Sequence, residues 1–274
     1  MSGVETRIRN KMEQKGVPLK HWGLRINRGI LTGFNEAFII STAKKEELIA
    51  ADPKSADIIR PILRGRDIKR YHYSFENLWI IFVPWHFPLH NDESITGPSE
   101  NAETQFAKEY PAVYNHLLHY KEPLANRNKA ETGIRYEWYA LQRWGAKYWN
   151  EFYKQKIVYR EISDAMDACL VEEGYMLNNK CYLITGDHLI YILSFINSNL
   201  FTKIILPNAN VTGGKGESFL NEITLISPSA AIEEKLIQLY QQRQKGVNVD
   251  SEVERIFCSL YNLSDEEIAY ILNT

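Results

Sequence analysis

The chain has 274 residues, 45% hydrophobic and 24% charged, a balance that excludes an extended disordered chain and suits one large or two small domains. Cys169, Cys181 and Cys258 form no CxxC pair, no run reaches the roughly 18 apolar residues of a membrane span, and the opening residues lack a signal peptide's apolar centre. A cytoplasmic protein with no membrane partner is therefore expected. The net charge of −2 is unevenly placed: residues 54–70 hold six cations against two anions, residues 125–160 eight against three, and residues 220–274 nine anions against four cations. Two basic stretches on a near-neutral chain fit a localised phosphate-binding face, for which solvated surface is the competing reading.

Residues 3–14 are polar and helix-compatible, and Gly16 with Pro18 ends them, which predicts a lead-in helix and connector over 1–22. Leu24 and Ile26 alternate with Arg25 and Asn27 as a strand would, and 37–40 form a second short apolar run. Between them the stretch RGILTGFN is expected to turn at Gly29 and Gly33, both able to take positive φ, and to carry Arg28, Thr32 and Asn35 outward. Asp52-Pro53 has the chemistry of an N-cap and first helical position, with Ile58, Ile59, Ile62 and Leu63 as an apolar helix face that Pro61 must break. Arg64, Arg66, Lys69 and Arg70 follow.

NLWIIFV at 77–83 reads as a central strand, and the Pro-rich stretch at 84–100, which includes Trp85 and His86, as a long functional loop. Pro111 opens a helix with Tyr114, Leu117 and Leu118 on one face. KIVYREI at 156–162 and CYLIT at 181–185 read as strands, 187–200 as a helix apolar on nearly every side, and GGKG at 213–216 as a hairpin turn. Beyond 227 the pattern is helical: stripes over 227–243 and 250–262, then a capping box of Ser264 and Glu267. The order predicts an α+β fold with a mixed sheet over 23–226 and C-terminal amphipathic helices over 227–274.

No catalytic constellation stands out. The His86/His90 and His116/His119 pairs lack a further ligand, there is no GxSxG elbow, and Glu161 has Arg160 as a simpler partner than a metal ion. What remains is cations interleaved with planar side chains in RYEWYALQRWGAKYW at 135–149, where Arg135, Tyr136, Trp138 and Arg143 carry the two chemistries that meet bases and phosphates; burial in a core is the competing use of the aromatic ones.

INRGILTGFNEAFII, ELIAADPKSADIIRPILRGRDIKRY, QKIVYREIS, CYLITGDHLIYILSFINSNL and IFCSLYNLSDEEIAYIL together resemble the TaqI-like C-terminal specificity domain. That domain occurs in type IIG restriction-modification enzymes and adenine-specific DNA methyltransferases, and is similar to half of a type I specificity subunit. The resemblance implies a target recognition domain that reads double-stranded DNA for an upstream or separate adenine-N6 methyltransferase, with C-terminal helices as spacer or docking element. Its parent would use S-adenosylmethionine, with magnesium as a second candidate. No NPPY-type motif occurs here, so no catalytic, cofactor or metal residue is expected in this chain. Candidate DNA contacts are Arg28, Asn35, Arg64, Arg66, Lys69, Arg70, Trp85, His86, Arg135, Tyr136, Trp138, Arg143 and Lys215, with base choice expected in 84–100, 126–145 and 208–217. A metal-dependent nuclease domain and a helical protein-interaction module remain as alternatives.

Overall fold

The computed structural model describes residues 3–161, 163–209 and 214–272. In chain order its helices and strands are α1 (Gly3–Lys15), β1 (Val17–Pro18), β2 (Arg25–Arg28), α2 (Asn35–Phe38), β3 (Ile39–Ser41), α3 (Thr42–Ala51), β4 (Ile59–Leu63), β5 (Ile68–Lys69), β6 (His72–Tyr73), β7 (Leu78–Ile81), α4 (Glu100–Glu109), α5 (Pro111–Leu118) and α6 (Lys121–Asn126). The second half adds β8 (Lys156–Arg160), β9 (Cys169–Val171), β10 (Met176–Leu177), β11 (Cys181–Thr185), α7 (Leu189–Ile196), α8 (Glu217–Asn221), β12 (Thr224–Leu225), α9 (Ala230–Gln244), α10 (Asp250–Leu260) and α11 (Asp265–Leu272). Two four-stranded sheets organise them: a mixed sheet in the order β10-β4-β7-β3, whose β10–β4 pair is parallel, and an antiparallel sheet in the order β2-β11-β8-β9. The fold is α+β, as expected.

The antiparallel sheet separates two apolar clusters. Strand period sends Ile157 and Tyr159 of β8 and Ile184 of β11 to one side, and Val158, Cys181 and Leu183 to the other. The first cluster also takes α1, α7 and the apolar stripes of α9 to α11, through Leu236, Leu239, Val253, Phe257, Tyr261 and Ile271. The C-terminal helices thus spend their amphipathic faces inside the molecule. The second cluster joins the mixed sheet to α4, α5 and α6 through Phe106, Val113, Leu117 and Leu124. No single helix among the described residues is long and apolar enough to cross a membrane; a bent pair at Leu189–Ile196 and Phe201–Asn208 is apolar enough, and its side chains fill the first cluster.

Several local expectations hold. Asp52 caps Lys54 N at 3.2 Å, Pro111 opens α5, and Ser264 and Glu267 exchange capping bonds at 2.7 and 3.4 Å. Others do not. Residues 59–63 form a strand where a broken helix was expected; Pro61 faces Trp79 of β7, and the parallel neighbour β10 begins only at Ile62, so its missing N–H interrupts no ladder there. Residues 37 and 38, expected to open the strand at 37–40, instead end a helical turn, α2, before β3. Among the described residues, 214–216 are followed by α8, and the nearest described element before them is a helical turn at Leu206–Asn208, where the strands of a hairpin were expected. Ile162 and 210–213, part of the expected strand 156–162 and of the expected reading loop 208–217, lie outside the described residues.

The buried ionisable core predicts an alkaline limit to stability. Burial pushes the thiol of Cys169 from 9.0 up to about 12, raises those of Cys181 and Cys258, and lifts the phenols of Tyr71 and Tyr73 from 10.0 to about 12. A raised folded pKa means that the unfolded chain loses its proton first, so this stabilisation is complete below pH 9 and is lost as pH climbs from 9 towards 12. Burial lowers Lys156 from 10.5 to about 8 and also lowers Lys215 and Arg127, which works the other way, but these cations are fewer than the buried thiols and phenols. Urea midpoints should fall steadily above pH 9, with tyrosinate absorbance rising in the unfolding transition; a flat midpoint from pH 8 to 11 would contradict the burial of these groups.

Candidate nucleic-acid interface

The joint between the two sheets is built by RGILTGFN. β2 belongs to the antiparallel sheet, and Gly29 N still donates to Cys181 O of β11 at 2.9 Å; Ile30 N then crosses to Leu177 O of β10, in the mixed sheet, at 2.7 Å, and Leu31 exchanges backbone bonds with Arg143, outside both sheets, at 3.0 and 2.9 Å. Gly29 does not take positive φ, contrary to expectation; it is glycine because a Cβ there would lie 2.0 Å from Asn178 O. Gly33 does, at φ 79, and its missing side chain leaves room for Arg127 and Gln142. Thr32 Oγ1 donates to Asn35 Oδ1 at 2.6 Å, which closes the turn.

Asn178 joins a further segment. Its N–H donates to Leu63 O at 3.0 Å and its Oδ1 accepts from Gly65 N at 3.3 Å, while a Cβ on Gly65 would touch Lys180 at 3.1 Å. Segments at 143, 28–31, 178–180 and 63–66 therefore lie side by side, so that Arg143 and the Gly65–Asp67 turn stand about three strand spacings, ~15 Å, apart. This is near the roughly 12 Å width of a DNA major groove. The Asn178-Asn179-Lys180 turn at its centre was missed from sequence, although Asn-Asn between two apolar runs is a turn signal.

The expected contacts divide sharply by whether their charge is already spent. In RGRDIKR the outer cations are locked: Arg64 forks onto Asp67 at 2.8 and 3.0 Å, and Arg70 onto Asp250 at 2.9 and 3.1 Å. The inner pair, Arg66 and Lys69, is exposed and makes no ion pair or side-chain hydrogen bond among the described residues; Arg143 is equally free. Arg28 binds Glu161 and donates to Asn179 O at 2.9 Å. That corrects the expected pairing of Glu161 with Arg160, which binds Asp167 instead. Arg135 is 59% exposed beside Glu131 at 3.8 Å, and Asn35 is exposed at the turn.

The aromatic candidates serve the interior. Tyr136 is fully buried, stacked on Trp85 with ring centres 4.7 Å apart, and cannot reach a DNA surface. Trp85 Nε1 donates to Leu141 O at 2.8 Å and Trp138 Nε1 to Glu103 Oε1 at 2.8 Å. His86 takes φ 64 and is held by the buried Glu137, which accepts from His86 N at 2.7 Å and from Ser99 N at 2.9 Å, and lies 2.9 Å from His86 Nδ1. Glu137 thereby pins the 84–100 loop at two points. Lys215 is buried too, donating to Ser163 O, to Ser163 Oγ at 2.8 Å and to Ala165 O at 2.7 Å, and burial lowers its pKa. It has no ammonium hydrogen to spare for a phosphate. Among the described residues no three His, Cys, Asp or Glu side chains converge as a metal would require.

The model of the TaqI-like C-terminal specificity domain matches residues 60–215, more than half of the chain. The chain belongs to this family. The matched span takes in the RGRDIKR hairpin, Arg143 and the Asn178 turn of the specificity domain, and leaves out α1, β2 and α9 to α11. The type II methyltransferase M.MjaIV of Methanocaldococcus jannaschii is 22% identical over 201 residues, which are 70% of this chain and 60% of that protein, so the specificity domain spans less than two thirds of this relative. The type IIL restriction-modification enzyme MmeI, solved in complex with DNA, is similar in fold, with a TM-score of 0.54 and 14% identity over 94% of this chain and 35% of its own. The type IIG restriction endonuclease BpuSI aligns over 88% of this chain and 28% of its own, at 10% identity and a TM-score of 0.48.

Proposed function

We propose that this specificity domain recognises double-stranded DNA in a sequence-specific way on behalf of an adenine-N6 methyltransferase whose catalytic residues lie outside this chain. The observation that carries the reading is the family match over 60–215, the span that contains Arg66, Lys69 and Arg143, three exposed cations without side-chain partners among the described residues, on segments that lie side by side around the Asn178 turn. A duplex offers one negative charge per roughly 1.7 Å of axis, and free guanidinium and ammonium groups are the side chains that neutralise it. S-adenosylmethionine would be held by the catalytic part, and the relative's name as a methyltransferase supports that assignment.

The reading is tested by titrating duplex DNA against the chain at several salt concentrations. Arg66→Ala/Lys69→Ala should lower the slope of log K against log salt by about 1.8, and Arg143→Ala should remove a further ~0.9, each phosphate contact contributing about 0.9. Lys245→Ala, near the end of α9, is the control and should leave the slope in place. An unchanged slope and affinity in the triple variant would remove this face from the interface.

A further inference from the structure

The two-residue strands β5 and β6 are too short to hold a hairpin by themselves, and the tip between them is strained, with Tyr71 at φ 62. The tip is held from outside. Tyr71 N donates to Ala168 O at 2.7 Å, and Arg70 donates to Asn197 O at 3.0 and 3.1 Å as well as to Asp250. Asp250, the first residue of α10, also accepts from Arg243 of α9 at 2.5 Å, and both guanidinium groups lie over the Tyr71 ring, at 4.9 and 4.1 Å from its centre. One turn along α10, Glu254 accepts from the backbone of Asn199 and Leu200.

We infer that Asp250 is a positioning residue for DNA contact: from the C-terminal helices it clamps Arg70 and Arg243 around Tyr71 and so sets the hairpin that presents Arg66 and Lys69. This rests on the reading of Arg66 and Lys69 as backbone contacts. Desolvation opposes a charge at Asp250, but its hydrogen bonds from Arg70 and Arg243 outweigh that and hold its pKa below the usual range, so the clamp is charged at neutral pH.

The sign of one substitution separates positioning from simple charge. Asp250→Asn removes an acid and releases two arginines, so on charge alone it should strengthen duplex binding and steepen its salt dependence. Positioning requires the reverse: weaker binding, a salt slope shallower by about 1 to 2, and amide exchange in 68–73 faster by about tenfold or more while β7 stays protected, with Asp250→Glu restoring much of each. Unchanged exchange in 68–73, or tighter binding by Asp250→Asn, would overturn the inference while leaving the DNA reading intact. If Arg66→Ala/Lys69→Ala has no effect on binding, the DNA reading of this hairpin fails and the positioning role fails with it, even where exchange responds to Asp250. Should Asp250→Asn not fold, Arg243→Gln breaks the other half of the clamp and is read by the same exchange measurement.

Discussion

Gly29→Ala is expected to destabilise the chain by about 3 kcal/mol or more, seen as a lower urea midpoint at unchanged m-value. The added Cβ would stand 2.0 Å from Asn178 O, 2.5 Å from Asn178 C and 2.7 Å from Leu177 O. All three are backbone atoms, so no rotamer change relieves the contact. The segment that carries them is held on its far side by the bond from Asn178 N to Leu63 O at 3.0 Å, so it cannot retreat without opening the mixed sheet. Overpacking that flexible side chains absorb costs roughly 1–3 kcal/mol, and a rigid wall puts this site at or above the top of that range. Because the same joint sets the spacing between Arg143 and Gly65, duplex affinity should fall as well. A variant within about 0.5 kcal/mol of the parent, the usual scatter for surface changes, would show that the sheets do not approach this closely.

Arg127→Ala should cost about 2–4 kcal/mol. This arginine is 8% exposed and has no carboxylate partner among the described residues. Its guanidinium donates to the carbonyls of Thr32 and Ala140 and to Trp138 O at 3.0 Å, lies 5.4 and 5.5 Å from the ring centres of Phe38 and Tyr136, and leaves Nε without an acceptor. Burial lowers its pKa to about 10, still far enough above neutrality to keep it charged. Removing it strands two buried carbonyls, those of Thr32 and Ala140, each worth roughly 1–3 kcal/mol when unsatisfied, as well as the part-buried one of Trp138, and opens a cavity, while the relieved desolvation of an unpaired charge offsets part of the loss. Arg127→Met keeps most of the volume and should lose less than the alanine variant. A methionine variant as stable as the parent would mean that desolvation cancels the hydrogen bonds and that the brace only fills space.

Arg127 also gives GFN its meaning. The turn is glycine at 33 because positive φ and the approach of Arg127 Cδ, 2.8 Å from where a Cβ would be, both exclude a side chain. Only the first reason could be read in advance. Arg127 is 94 positions away, and nothing in the local pattern says that a cation from a basic stretch will turn inward.

The chain's own order of residues determined the α+β class, the capping chemistry at Asp52, Pro111, Ser264 and Glu267, the strand at 181–185 and the amphipathic C-terminal helices, because caps and apolar periods act over a few neighbouring residues. It also singled out RGRDIKR as basic. The tertiary structure alone decided which of those cations are free. Arg64 meets Asp67 three residues away, Arg70 meets Asp250 across 180, and both leave Arg66 and Lys69 uncommitted between them. It likewise decided that Tyr136 and Lys215 are interior and that 59–63 is a strand, since apolar spacing there satisfies both periods and only the neighbour β7 selects one. Charge in a sequence is a sum over residues, whereas availability for a partner is what remains after distant acids have taken their share, and only folding assigns those distances.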